Sequence, residues 1–153
     1  MLSLIFYFRY LIMNLFRGKY QKLIKYLFWA WLIIILLVSS IPKLPDPNID
    51  FKKSVLRLDY LIHLFEYFVL VCLFIFWKAG NEVKINIALI LIVLFSGIVL
   101  GTVDEYHQKF ISGRRFNPWD MFYNYLGVVS GIIFSVLYLQ YFLARKDKTK
   151  NPN

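Results

Sequence analysis

Four long runs of apolar residues constrain the fold of this chain more than any other feature. A membrane-crossing helix needs about 20 mostly apolar residues, and we assign such helices to residues 23–41, 60–77, 85–103 and 121–143. The chain of 153 residues is 59% hydrophobic, against roughly 45–50% in ordinary soluble domains. Because a soluble domain this small leaves much of its surface in water, we predict an all-α integral membrane protein, a four-helix transmembrane bundle.

The segments outside the apolar runs divide the chain into three parts. The N-terminal stretch is apolar and aromatic, but Arg9 lies in its middle, and a charge at mid-membrane costs at least about 2.5 kcal/mol. A helix lying in the membrane interface is therefore favoured there, and a fifth span stays open as the alternative. We predict an interfacial or cytoplasmic segment over 1–22, a transmembrane domain over 23–144, and a basic cytoplasmic tail over 145–153 that is without regular structure from Lys146.

The net charge of +9 comes from lysines and arginines that flank the apolar runs and form no continuous stripe. This distribution argues against nucleic acid as a partner and indicates contact with membrane lipids, in particular anionic headgroups. With four spans, both termini share one side, which collects eleven of the basic residues against seven on the other. The positive-inside rule therefore predicts cytoplasmic termini and outward-facing loops at 42–58 and 104–119.

Polar residues interrupt the beginning of the second apolar run. Asp59, His63, Glu66 and Tyr67 fall within an arc of about 100° on a helix of 3.6 residues per turn. An ionisable side chain that faced lipid would be costly. We therefore expect this face of the helix to point into the bundle or into a wet cavity.

A second polar group follows the third run. Asp104, Glu105, His107 and Gln108 lie within five residues of one another, and the tight loop that follows carries Arg114. Asp104 and Gln108 are four residues apart, so they share a face if the helix continues. Two carboxylates, an imidazole, an amide and a guanidinium are then predicted at one end of the bundle.

The fourth run opens with a helix-start signal. Asn117 is the predicted N-cap and Pro118 the first helical residue. One face of this helix then carries Asp120 and Asn124, followed by two glycines at a spacing of four, Gly127 and Gly131. Glycines at this spacing let a neighbouring helix approach closely, so we predict a packing face there.

Two stretches of this pattern resemble the VanZ-like family of small bacterial membrane proteins. They are DYLIHLFEY at residues 59–67 and DEYHQKF at residues 104–110. At matching spacing the second is followed by Gly113-Arg114, Asp120, Asn124, Gly127 and Gly131, and Ser40-Ile41-Pro42 also fits. The resemblance covers about residues 35–135. Its visible departure is Tyr60, where the family often has lysine, and this puts in doubt the local ion pair that a lysine would make.

The resemblance implies a multi-pass protein of the bacterial plasma membrane and cell envelope. The namesake of the family is associated with antibiotic resistance, namely low-level resistance to the glycopeptide teicoplanin. The resemblance implies no defined biochemical activity, so whether the chain is an enzyme stays open and no catalytic residue is assigned.

The candidate polar site predicted from the sequence comprises Asp59, His63, Glu66, Tyr67, Asp104, Glu105, His107, Gln108, Arg114, Asp120 and Asn124. Four functions are compatible with it. The residues could form a purely structural network with every polar group paired, or they could bind a cell-wall precursor lipid, a phospholipid headgroup or a glycopeptide. The third possible function is that of a membrane-embedded enzyme. The fourth is that of a proton-coupled transporter, which would be favoured if the chain forms a homo-oligomer.

The enzyme hypothesis relies on the two histidines as acid or base, oriented by a neighbouring carboxylate. Imidazole and carboxylate groups also suit Zn²⁺ or Mn²⁺, and the residues considered as metal ligands are Asp59, His63, Glu66, Glu105 and His107. The chain contains no spacing diagnostic of a metal site and no phosphate loop. From the sequence, therefore, neither a metal nor a cofactor is predicted.

Overall fold

The computed structural model describes residues 20–42, 58–79 and 86–150, with side chains described up to residue 141. All regular secondary structure in these ranges is helical: α1 (Gln21–Ser39), α2 (Leu58–Ala79), α3 (Ile87–Gln108) and α4 (Pro118–Lys150). Each helix is long and apolar enough to cross a membrane, α4 over Pro118–Tyr141. The predicted all-α fold with four such helices is confirmed, whereas the interfacial segment and the first predicted loop lie almost entirely outside the described residues.

Local sequence explains where the helices begin and end. Asn86 precedes α3, and its side-chain oxygen accepts the backbone N–H of Leu89 at 2.8 Å, which is the geometry of an N-cap. After the last residue of α1, the hydroxyl of Ser40 donates to the carbonyl oxygen of Leu36 at 2.7 Å. Pro42 follows two residues later. Proline lacks the N–H that a further helical turn requires.

Two helices extend beyond the apolar runs that predicted them. α3 continues to Gln108 instead of residue 103, and α4 continues to Lys150 instead of residue 143. Hydropathy stops at the first charged residues. In α3 the added turn buries Asp104, Glu105 and Gln108 inside the bundle, whereas in α4 the Ala, Arg and Lys residues that follow are good helix formers. The prediction of a tail without regular structure from Lys146 is therefore wrong up to Lys150.

The packing of α2 against α4 forms the centre of the bundle. A Cβ atom on Gly127 would clash with the carbonyl oxygen of Leu64, and one on Gly131 would lie 2.9 Å from the carbonyl oxygen of Phe68. Both glycines therefore allow the α2 backbone to approach at a distance that a side chain would prevent.

The outer helices pack onto this central pair, α1 mainly on α2 and α3 mainly on α4. The indole N–H of Trp31 in α1 donates to the carbonyl oxygen of Glu66 in α2 at 2.9 Å. Between α3 and α4, the hydroxyls of Thr102 and Tyr125 are hydrogen-bonded at 2.7 Å. These polar contacts fix the registration of each outer helix, while the surrounding contacts are apolar.

The outward faces of the helices are apolar. Leu37 on α1 and Phe95 on α3 are 62% and 72% exposed, while Tyr67 and Val128 between the helices are fully buried. Large aliphatic and aromatic side chains on the outside of a small bundle are costly in water and natural in hydrocarbon. The surface, like the helix lengths, is that of a membrane protein.

Candidate functional site

A pocket of about 580 Å³ opens at the end of the bundle where α1 and α3 end and α2 and α4 begin. Alternating helix directions bring these four ends together. At the opposite end, Lys25 near the start of α1 lies 5.8 Å from the ring centre of Trp77 near the end of α2. Seven of the residues predicted from the sequence line the pocket wall: Asp59, His63, Glu66, Asp104, Gln108, Arg114 and Asp120.

The first turns of α2 form one wall of the pocket. His63 and Glu66 are buried and Asp59 is half-buried, in agreement with the predicted inward face. His63 Nδ1 lies 3.9 Å from the Oε2 atom of Glu66, one turn further along the helix. Tyr67, the fourth member of that face, is fully buried below the pocket and does not line it.

The end of α3 forms the opposite wall, because the helix continues through Gln108. Asp104, Glu105 and Gln108 are at most 3% exposed. Among the described residues, neither carboxylate oxygen of Asp104 has a hydrogen-bond partner. The Nε2 atom of Gln108 also has none among these residues. His107 lies on the other side of the helix, where it is exposed, so the structure does not bring it to the predicted site.

The connection between α3 and α4 is held by Glu105. Its Oε1 atom accepts the backbone N–H of Asn117 at 2.6 Å, while its Oε2 atom has no hydrogen-bond partner among the described residues. Asn117 in turn caps α4, since its Oδ1 atom accepts the N–H of Trp119 at 3.1 Å, as predicted. Gly113 allows the tight turn between the end of α3 and Asn117 by adopting a positive φ of 75°.

Arg114 closes the pocket against the end of α1. Its Nη1 atom donates to Gln108 Oε1 at 2.9 Å. Its Nε and Nη2 atoms donate to the carbonyl oxygens of Ile41 and Val38 at 2.9 and 3.0 Å. These two oxygens belong to the last turn of α1 and to the residues after it, where carbonyl groups lack intrahelical donors. The guanidinium therefore connects three elements of the fold.

The first turns of α4 complete the site with Asp120. Its Oδ2 atom lies 3.9 Å from the Nε2 atom of His63 on α2. One turn further along, Asn124 is fully buried, and its Cβ lies 3.1 Å from the position that a Cβ on Gly101 of α3 would take. Asn124 lies below the pocket, and neither polar atom of its amide has a hydrogen-bond partner within the described part of the chain.

Three of these side chains could hold a metal ion. His63, Glu105 and Asp120 each present one ligand atom, and the three atoms lie within 4.8 Å of one another. They come from α2, α3 and α4 respectively. Of the five residues considered as metal ligands from the sequence, only His63 and Glu105 belong to this group.

The pocket is rich in negative charge. Four carboxylates line it, those of Asp59, Glu66, Asp104 and Asp120, together with two arginines. Glu105 adds a fifth carboxylate beside His63 and Asp120. One of the arginines, Arg114, is already hydrogen-bonded to protein atoms. Such a site favours ligand groups that carry positive charge or donate hydrogen bonds.

Several contributors were not predicted from the sequence. Val38 and Ser39 bring α1 into the pocket wall, and no local signal distinguishes them from the rest of that apolar helix. Gly97 and Gly101 in α3 repeat the four-residue glycine spacing and face Val128 and Asn124 of α4. That pair was visible in the sequence, and the same spacing argument would have found it.

The fold and the site define the class of this protein as a multi-pass helical membrane protein with a polar, carboxylate-lined pocket at one end of its bundle. Comparison with family models, with curated proteins and with solved structures returned no match for this chain.

Proposed function

We propose that this chain is a VanZ-like membrane protein of the bacterial cell envelope whose pocket binds the polar head of an envelope amphiphile. The ligands that fit are a lipid-linked cell-wall precursor and an amphiphilic glycopeptide such as teicoplanin. Both carry sugar hydroxyl or amine groups that can donate hydrogen bonds, together with an apolar part that suits a bilayer. On this proposal the pocket faces outward and both termini are cytoplasmic.

The observation that carries the proposal is the pocket itself, with buried polar atoms in its wall. A volume of about 580 Å³ falls within the range of small-molecule sites, about 300–1,000 Å³. Asp104 is 2% exposed, yet both of its carboxylate oxygens lack a hydrogen-bond partner among the described residues. Buried polar groups are normally paired, so these oxygens are suited to accept hydrogen bonds from a ligand.

The rim of the pocket suits an amphiphile. Phe116 and Trp119 are exposed at its edge, where aromatic rings prefer the boundary between headgroups and hydrocarbon. Arg115 is exposed beside them and could meet a phosphate or pyrophosphate group through its guanidinium. The carboxylates inside would repel such a group, so we assign phosphate to the rim and sugar or peptide groups to the interior.

The alternative, a purely structural polar network, requires that every polar group be paired and that no cavity open between the helices. The pocket and the unpaired atoms of Asp104 and Gln108 in the described part of the chain favour ligand binding over that alternative. Arg114 does fit a structural role, because its Nε, Nη1 and Nη2 atoms each donate a hydrogen bond to the protein.

The test is ligand binding by the full-length protein in lipid nanodiscs, with teicoplanin and a lipid-linked wall precursor titrated separately. We expect the wild type to bind at least one of them and Asp104→Asn to bind it at least about tenfold more weakly, which corresponds to the loss of a charged hydrogen bond. This substitution keeps the shape of the side chain and breaks no described hydrogen bond. His107→Ala, which alters an exposed residue outside the pocket, is the matched control and should bind like the wild type.

The two titrations distinguish the two sources of the ligand. Binding of the precursor alone assigns the pocket to wall lipids, and binding of teicoplanin alone assigns it to the antibiotic. If neither ligand binds, or if Asp104→Asn binds as tightly as the wild type, the proposal is wrong.

A further inference from the structure

The tertiary structure brings one imidazole and two carboxylates together on three different helices. His63 of α2, Glu105 of α3 and Asp120 of α4 offer ligand atoms within 4.8 Å of one another, and His63 and Asp120 line the pocket. We propose that these three residues bind a divalent transition-metal ion, for which Zn²⁺ is the best match. The proposal concerns the protein alone and does not require that an envelope amphiphile binds.

The geometry is close to that of a metal site. Tetrahedral coordination with bonds of about 2.0–2.2 Å places ligand atoms about 3.4 Å apart. His63 Nε2 and Asp120 Oδ2 are 3.9 Å apart, and the largest separation within the group is 4.8 Å. Side-chain movements of about 1 Å would bring the three atoms to coordination distance.

An unpartnered buried atom points to a ligand independently of the acidic character of the site. Glu105 is fully buried, and its Oε1 atom is bound to the backbone N–H of Asn117. Its Oε2 atom has no hydrogen-bond partner among the described residues. A buried carboxylate oxygen without a donor is costly, and coordination to a cation removes that cost.

The surroundings of two of the ligands are similar to those of known metal sites: a hydrogen bond holds Glu105, and a carboxylate lies near the outer nitrogen of His63, beyond hydrogen-bond distance. A histidine that coordinates a metal usually directs its second ring nitrogen toward a carboxylate or a carbonyl group. His63 is 8% exposed, and its Nδ1 atom faces Glu66 Oε2 at 3.9 Å, while its Nε2 atom faces Asp120. The hydrogen bond from the backbone N–H of Asn117 orients the carboxylate of Glu105.

The charge of the pocket also favours a cation. Glu66, Glu105 and Asp120 lie close to His63, and Asp104 lines the same pocket. Arg114, in contrast, is hydrogen-bonded to Gln108 and to the end of α1. A bound divalent ion is often the largest local charge in a site, and here it would offset the repulsion between these carboxylates.

The donor set favours zinc over magnesium or calcium. One imidazole nitrogen with two carboxylate oxygens suits Zn²⁺ and, less well, Mn²⁺, whereas Mg²⁺ and Ca²⁺ prefer oxygen ligands alone. Three protein ligands would leave a fourth position for water or a ligand group, as in zinc sites that are not purely structural. That position would lie toward the pocket, because His63 and Asp120 line it.

The first experiment measures metal binding by the purified full-length protein in nanodiscs, without any amphiphile. After treatment with a chelator and removal of that chelator, the protein is dialysed against Zn²⁺ and its metal content is determined by mass spectrometry. We expect about one tightly bound Zn²⁺ per chain, as for a single three-ligand site. His107→Ala should retain the ion, because His107 is exposed and lies outside the group, whereas His63→Ala should bind at least about 100-fold more weakly.

Conservative variants separate loss of a ligand from loss of the fold. Glu105→Gln keeps an oxygen to accept the N–H of Asn117, and Asp120→Asn keeps the shape of the side chain, so both should fold and still lose zinc. Glu66→Gln changes only the support of His63 and should weaken zinc binding by about 10–100-fold. Replacement of Zn²⁺ by Co²⁺ should give the strong visible absorption of a four-coordinate site in the wild type and in His107→Ala only.

Two results would overturn the inference. One is a folded wild-type protein that retains neither Zn²⁺ nor Mn²⁺ after dialysis. The other is equal zinc content in the wild type, Glu105→Gln and Asp120→Asn, which would place the ion elsewhere. Because no amphiphile is present, failure here leaves the binding experiment on Asp104→Asn unaffected, and the reverse also holds.

Discussion

At the residue scale, Arg114 and Arg115 are neighbours in sequence with different surroundings. Arg114 donates to Gln108 and to two carbonyl oxygens at the end of α1, whereas Arg115 is exposed at the pocket rim. The sequence predicts Arg114 in the polar site but gives no sign of its bonds to α1. In the structure, Arg114 also joins the end of α1 to the α3–α4 connection through these hydrogen bonds.

Arg114→Ala is therefore expected to destabilise the bundle. It removes three hydrogen bonds from a charged donor, and it leaves the carbonyl oxygens of Val38 and Ile41 without that donor. Hydrogen bonds to charged groups contribute about 1.5–3 kcal/mol each, but two of these three are exposed to solvent, which weakens them. We therefore expect a loss of about 2–4 kcal/mol, seen as a lower Tm in detergent. Arg115→Ala is the control and should leave the Tm unchanged; equal shifts in the two variants would contradict the assigned role.

Glu105 offers a second prediction at this scale, because it serves both the fold and the proposed metal site. With a chelator present, Glu105→Gln should be at least as stable as the wild type, since it keeps the acceptor for Asn117 and removes one charge from an acidic cluster. Glu105→Ala should lose about 1–3 kcal/mol, because the N–H of Asn117 is left unsatisfied. Thermal unfolding of both variants checks this, and an equal loss in both would show that the bond to Asn117 contributes little.

At the element scale, two pairs of glycines determine how closely the helices pack. Gly127 and Gly131 lie against the backbone of α2, whereas Gly97 of α3 lies against the side chain of Val128. A side chain can move aside, but the carbonyl oxygen of a packed helix cannot do so cheaply. The two interfaces should therefore respond differently to the same added methyl group.

Gly127→Ala should lower stability more than Gly97→Ala. The first places a methyl group on the carbonyl oxygen of Leu64 and forces α4 away from α2, at a cost of about 1–3 kcal/mol. The second requires only a shift of Val128, which lies 2.8 Å from the added atom. Val129→Ala on the exposed face of α4 is the control for helix effects, and the Tm series in detergent is the measurement. A larger loss for Gly97→Ala would contradict this order.

At the scale of the whole molecule, the alternating helices place the pocket at one end of the bundle, and the end of α2 and the start of α3 at the other. The distribution of lysine and arginine predicts that the pocket end faces outward. The native Cys72 is buried between the helices, so it should not react in cysteine-labelling experiments on introduced cysteines. Ser112 near the pocket and Lys78 near the end of α2 are both exposed and can report on opposite surfaces.

Ser112→Cys should react with a membrane-impermeant maleimide added to intact cells, whereas Lys78→Cys should react only after the cells are permeabilised. The reason is that the two positions lie at opposite ends of helices long enough to cross the bilayer. The unsubstituted protein is the control and should not be labelled. Labelling of Lys78→Cys alone in intact cells would reverse the predicted orientation and place the pocket in the cytoplasm.

The two histidines illustrate how far local sequence reasoning reaches into the site. Both lie beside carboxylates, and each was a candidate for the same chemistry. His63 shares a face with Glu66, and the spacing alone predicts that this face is buried. His107 is close to Asp104 and Glu105 in sequence. On the continued helix, however, Gln108 lies at the middle of the buried face, and His107 is turned from it by about 100°, which leaves it exposed. Its exposure depends on how far α3 extends, which hydropathy underestimated.

The sequence by itself determined the helical class, the four membrane-spanning segments, the cap at Asn117 and the inward face of α2. These follow from hydrophobicity, side-chain spacing and capping chemistry, which act over a few turns of a single helix. Only the tertiary structure decided that Arg114 would bond to the end of α1 and that His63, Glu105 and Asp120 would meet. Those contacts join residues on different helices, and their distances depend on helix rotation and close packing, which no local pattern in the chain specifies.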